Sequence, residues 1–174
     1  MRCSSWTKKA VWFRVNDVIM GGKSTSELEA DGDGRLVFSG DISTDGGGFA
    51  SMRTGEACVV SIPTGATAVR VVAEGDGQMW KVNLGLSHSL MDSQPTWTHD
   101  FLTQQGVTQT HVLPLDAFTA QTRGRKVAGA VMDIEKVAYV GMILSLVDQE
   151  GNPNKHFGDG PFRLTLHELE FDIE

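Results

Sequence analysis

The side chains able to do chemistry in this 174-residue chain are scattered rather than grouped. His88, His99, His111, His156 and His167 show none of the paired spacings of a zinc-binding helix. His99 and His111 fall in two successive predicted strands, where a cross-strand metal pair is conceivable, but ordinary surface or half-buried histidines are the expectation. Glu168 and Glu170 share one strand face near the chain end, where neighbouring acids are usually solvated. A glycosidase needs two carboxyls roughly 5–10 Å apart across a cleft. No serine sits in a nucleophile elbow. The glycine runs lack the Gly-Lys-Ser/Thr ending of a phosphate loop and the spacing of a dinucleotide fingerprint. Asp31-Gly32-Asp33-Gly34 breaks the calcium-loop pattern and reads as a hairpin turn. No catalytic residue, cofactor or metal is therefore expected.

Two features remain. Asp17 follows Asn16 and precedes the apolar Val18-Ile19-Met20, in a segment expected to pack on the fold. A carboxylate there needs donors, which backbone N–H groups of the glycine loops or the Arg53 guanidinium could supply. Asp17 is thus expected to pin the entry segment to the second glycine strand, with a partner-binding edge as the alternative. Trp80 and Trp97 lie in predicted strands, where core packing is usual. With Asn83, His99 or Asp100 beside them they are also the candidates for stacking on a sugar.

The elements that must position these residues are short strands. Twenty glycines, many in Asp-Gly or Gly-Gly pairs, favour tight turns. Leu36–Ile42 and Phe49–Arg53 read as strands joined by Asp45-Gly46-Gly47-Gly48. Ala68–Glu74 and Gln78–Leu84 read as a hairpin, and Thr96–Leu102 with Val107–Leu113 as a further pair. Leu115–Phe118 reads as one helical turn and Val137–Val147 as a central strand. In the last segment Phe162, Leu164 and Leu166 share one face while Leu169 and Phe171 take the opposite parity, which predicts a bulge near His167-Glu168. No segment sustains a helical period, so the chain reads as an all-β antiparallel sandwich or barrel. Residues 1–10 are expected to be a flexible segment and 11–174 a single domain.

The net charge of −7 argues against nucleic acid and against general adhesion to anionic lipid. Cys3 and Cys58 make neither a disulfide framework nor a metal motif and are expected to be reduced, which favours an intracellular or organellar compartment. Arg2, Lys8, Lys9 and Arg14, with no acid among the first sixteen residues, fit either the end of an organelle presequence or an ordinary exposed terminus.

Trp12, Asn16, Asp17, Met20, Gly21, Gly22 and Ser24, then Phe38-Ser39-Gly40 and Gly47-Gly48-Phe49-Ala50-Ser51-Met52-Arg53, resemble the opening signature of the complex I intermediate-associated protein 30 family. Further blocks follow in order: Glu74 to Trp80, His99-Asp100-Phe101, Leu113 to Phe118 with Arg123-Gly124-Arg125, and Val140 to Ser145 with Gly160 to Leu164. Trp80 stands where the family usually has tyrosine, and Leu115 where it usually has an aromatic.

The resemblance implies a galactose-binding-like jelly-roll β-sandwich. It also implies an interaction module, either an assembly scaffold or an accessory subunit of a large membrane protein complex. The partners it implies are protein subunits, foremost a respiratory complex I intermediate, with a photosynthetic complex as the alternative. It places the chain on the mitochondrial inner membrane as a peripheral protein, with a plastid or the bacterial cytoplasm as alternatives. The glycine-rich edge and the loop carrying Arg123, Gly124, Arg125 and Lys126 are the candidate contacts. A carbohydrate-binding module, which would need exposed aromatics on a concave face, is the second reading.

Overall fold

Alternating apolar and polar side chains, interrupted every few residues by glycine, leave this chain two open sheets to close against each other. A computed structural model describes residues 12–173. The expected flexible segment 1–10 lies outside them. The strands, in chain order, are β1 (Trp12–Asn16), β2 (Thr25–Ala30), β3 (Leu36–Ile42), β4 (Phe49–Thr54), β5 (Ala66–Glu74) and β6 (Met79–Gly85). They continue with β7 (Thr96–Leu102), β8 (Thr108–Pro114), β9 (Thr119–Thr122), β10 (Arg125–Lys126), β11 (Tyr139–Ser145) and β12 (Gly160–Ile173). A seven-stranded sheet has the order β1-β4-β11-β6-β7-β9-β10, and a five-stranded sheet the order β2-β3-β12-β5-β8. Every strand pairing within them is antiparallel.

The core is the layer between the sheets. Trp80 of β6 reaches across to Phe38 of β3 and Phe162 of β12, with ring centroids 6.1 and 5.8 Å away, and the two phenylalanines lie 5.1 Å apart. Met52, Leu84, Met142, Leu36, Leu164 and Leu166 fill the rest of the layer and are wholly buried. The register of β12 against β5 shifts between Leu166 and Glu168. That bulge turns Leu169 inward after Leu164 and Leu166, as the change of parity requires. β11 lies between β4 and β6, as expected of a strand apolar on both faces, and Leu115–Ala117 forms the expected single helical turn.

Two expected pairings are corrected. β5 and β6 belong to different sheets, so Gly75-Asp76-Gly77 is a corner rather than a hairpin turn. The corner docks on Thr103, whose hydroxyl accepts the Gly77 N–H at 3.1 Å and donates to the Gln78 carbonyl at 2.8 Å. β7 and β8 are likewise split between the sheets, which rules out a cross-strand His99–His111 pair. The glycine turn after β3 also carries the chain from one sheet to the other. Alternation reports which face of a strand is buried and is silent about which strand lies beside it.

Trp80→Ala empties the middle of the aromatic trio and should cost about 3–5 kcal/mol. A urea or guanidinium midpoint reads that loss directly. Little change would mean that the trio does not hold the sheets together.

Candidate functional site

The two glycine clusters meet around Asp17. Its carboxylate is wholly buried and accepts four hydrogen bonds: from the Ser24 hydroxyl at 2.6 Å and from the N–H groups of Gly48, Ser24 and Phe49 at 2.7, 3.1 and 3.3 Å. Burial pushes the carboxyl up, but the Ser24 hydroxyl and the backbone donors outweigh it and hold Asp17 below the ordinary 3.8. Gly22 and Gly47 lie so close that an added Cβ would stand 2.3 Å from atoms of the Asp17 carboxylate, so only glycine fits at either position. Ser24 extends the anchor by accepting the Ser43 N–H at 3.0 Å. Asn16 ties β1 to β2 by accepting the Ser26 hydroxyl at 2.9 Å.

This anchor sets the outer surface of the segment. Asp17–Met20 forms a 3₁₀ turn closed by Gly21. Its first residue is buried, and the next three, Val18, Ile19 and Met20, are 61%, 58% and 68% exposed. They adjoin a groove lined by Phe13, Arg14, Val15, Asn16, Val18, Ile19 and Leu90. Of the family-motif candidates, Trp12 is a core residue, while Asn16, Asp17, Gly22, Ser24, Gly47, Gly48 and Phe49 build the anchor. Met20 and Gly21 are exposed beside it.

Arg53 is not the partner of Asp17. It points from the outer face of the seven-stranded sheet, where its guanidinium carbon lies 5.0 Å from the Phe13 ring and 4.7 Å from the Tyr139 ring, and its Nη2 donates to the His88 carbonyl at 3.0 Å. Alternation decides this, since Met52 and Thr54 point inward and Arg53 between them must point out. Arg123, Gly124 and Arg125 lie at the opposite edge of that sheet, on the β9–β10 hairpin. Arg123 and Arg125 are exposed, whereas Lys126 pairs with Glu150.

Trp80 and Trp97 cannot stack on a sugar, because both are buried with their rings in the core. His99 and His111 each pack on an aromatic ring, Phe118 and Phe101, at 5.3 and 5.0 Å. Among the described residues no group of three or more His, Cys, Asp or Glu side chains is placed to hold a metal ion. In the same residues no helix is long and apolar enough to cross a membrane.

Sequence reasoning missed the strap that roofs the outer face of the seven-stranded sheet. Residues 146–150 lie across Lys81, Asp100, Thr119 and Gln121. Lys81 donates to the Val147 carbonyl at 2.8 Å, and the Gln149 N–H meets both Asp100 oxygens at 3.0 Å. Thr119 and Gln121 donate to the Gln149 carbonyl at 2.6 and 2.7 Å. Burial pushes the Lys81 ammonium down to about 8, against the pull of the Asp100 and Asp148 carboxylates. The sequence carried one faint signal, a lysine in mid-strand between Trp80 and Val82.

The chain matches the family model described as Complex I intermediate-associated protein 30 over residues 2–166. No curated protein is significantly similar to it in sequence. Solved structures that share its fold include two carbohydrate-binding modules. One is a family 11 carbohydrate-binding module from Clostridium thermocellum in complex with a β-1,3-1,4-mixed-linked tetrasaccharide. Its TM-score is 0.66 at 8% identity, covering 97% of this chain and 92% of that one. The other is the family 11 carbohydrate-binding module of the cellulosomal cellulase Lic26A-Cel5E of Clostridium thermocellum, with TM-score 0.67 at 8% identity over 99% and 94% of the two chains. At such identity the likeness concerns the jelly-roll architecture alone.

Two pH signatures follow. Because Asp17 is held below 3.8 in the folded state, its contribution is complete above that value and is lost as pH falls through the lower folded one. Asp17→Asn should flatten this acid limb. Asp17→Ala, which leaves the donors unmet, should cost on the order of 3 kcal/mol at neutral pH. An Asp17→Ala protein of unchanged stability that no longer binds its partner would mean that the carboxylate serves recognition instead. Lys81 has the same sign in an alkaline window, although there burial opposes the charged form. Between about 8 and 10.5 the unfolded chain holds the extra proton, so stability rises with pH. That rise should vanish in Lys81→Met when denaturation midpoints are compared across the range.

Proposed function

The chain belongs to the complex I intermediate-associated protein 30 family, and from that membership we propose that it is a non-catalytic interaction module that holds an assembly intermediate of respiratory complex I. The observation that carries the reading is the surface built by the family signature itself. Asp17 and the glycines brace the turn, which presents Val18, Ile19 and Met20 to solvent, and Val18 and Ile19 share a groove with the exposed Phe13 and Leu90. Single exposed apolar side chains are ordinary, but a contiguous group on a braced turn is the usual mark of a protein contact. Such a module docks peripherally on its partner, and the inner mitochondrial membrane is the proposed setting, with plastid or bacterial membranes as the alternatives.

A carbohydrate-binding reading draws on fold likeness alone. The aromatics it would use lie in the core, and the polar outer face of the seven-stranded sheet is roofed by the chain's own strap.

A size-resolved profile of native complexes, following the protein by mass spectrometry, tests the proposal. Migration with a subcomplex of respiratory complex I is the expected result. Migration with a mature respiratory or photosynthetic complex would make the protein an accessory subunit instead. A protein found only as a free monomer would overturn the scaffold reading.

A further inference from the structure

Arg53 is 8% exposed, and its Nε is buried without a hydrogen-bond partner. Among the described residues no carboxylate lies within ion-pair distance of it. The Phe13 and Tyr139 rings on either side attract the cation. A guanidinium nevertheless carries five N–H donors in a fork that matches a carboxylate, and here the fork has no anionic acceptor. The fold thus holds a nearly desolvated positive charge in place without neutralising it. Phe13, which covers one face of Arg53, is also a wall of the groove formed with Val15, Val18, Ile19 and Leu90. Arg14, about half exposed, lines that groove itself; its Nη1 donates to the Ser26 carbonyl and lies 4.0 Å from the exposed Glu27 carboxylate, which leaves the rest of its fork open to a further acid. Asp17 is buried and fully occupied by its own donors, so it offers Arg53 no carboxylate.

We infer that this groove is the docking site for an amphipathic segment of a partner protein, with apolar side chains against Phe13, Val15, Val18, Ile19 and Leu90 and carboxylates at Arg14 and Arg53. The inference rests on the interaction-module reading and adds the surface and the chemistry of its partner. Charge complementarity selects the occupant. Apolar walls call for apolar side chains, and Arg14 in the groove wall with Arg53 behind Phe13 calls for acids rather than bases. A protein segment is favoured over a bilayer because the contact is a groove walled on several sides by side chains, which a flat lipid surface cannot enter.

The test is photo-crosslinking of the full-length protein in the cells that make it. p-Benzoylphenylalanine is placed at Ile19, at Leu90 and, as a control on the far edge of the sheet, at Arg125. Crosslinks from Ile19 and Leu90 should fall on one segment of one partner protein, with Asp or Glu within about one helical turn of the crosslinked residue. Arg53→Gln should lower their yield about tenfold or more. Arg14→Gln, a surface change that spares the core, should lower it severalfold, and Ile19→Asp should abolish the Leu90 crosslink with the thermal midpoint unchanged. Crosslinks to lipid, to a second copy of this chain or to a segment without acids would overturn the inference. So would yields indifferent to both arginine substitutions. If the protein migrates with a large complex but crosslinks only from Arg125, the surface is wrong and the function stands. If it migrates with none, the function itself fails.

Discussion

A carboxylate withdrawn from water must find donors or lose its charge, and Asp17 solves that problem by drawing two distant stretches of chain around itself. Ser24 supplies a hydroxyl and an N–H, and the turn before β4 supplies two more N–H groups. The demand is geometric as well as electrostatic. Gly22 and Gly47 must lack side chains for the loops to close on the carboxylate. The turn that follows is anchored through its first residue, which is held from several directions. The three apolar side chains after it stand on the surface. One buried charge fixes the edge of the sandwich and creates the surface proposed for binding.

The outer face of the seven-stranded sheet follows a different logic. Its side chains point away from the aromatic core, yet Lys81, Thr98 and Gln121 are buried, because the chain folds back over them. The strap is held mainly by polar contacts, through both backbone and side chain of Gln149. Lys81 bears the electrostatic cost, with only a carbonyl as its direct partner. A face that might have been an open polar platform is instead internal structure. What this surface leaves open lies at its two edges, the apolar groove beside β1 and the basic hairpin of β9 and β10.

Family and fold speak to different questions. The jelly roll is shared with carbohydrate-binding modules at 8% identity, and an architecture of two packed sheets imposes no ligand. The family signature is more specific, since its residues are those that build the Asp17 anchor and the exposed turn. Trp80 and Trp97, the aromatics considered for stacking, lie in the core, where Trp80 joins the two sheets.

Local rules were enough for much of this. Glycine pairs and short alternating runs marked the strands, the change of parity after Leu166 required the bulge in β12, and an acid among apolar residues required donors at Asp17. The pairing of strands was not legible, because alternation identifies a buried face and not a neighbour. A hairpin is therefore the expectation where β5 and β6 in fact turn a corner, and a cross-strand contact of His99 with His111 is conceivable until the fold puts them in opposite sheets. The isolation of Arg53 was likewise invisible. Parity pointed it away from the core, but only the assembled sheet set it between Phe13 and Tyr139, beyond reach of any acid in the described structure. The sequence by itself determined what each residue needed, a donor, an apolar neighbour or a positive φ. The tertiary structure alone decided which distant residue met that need, because contacts between strands many residues apart leave no local trace in the chain.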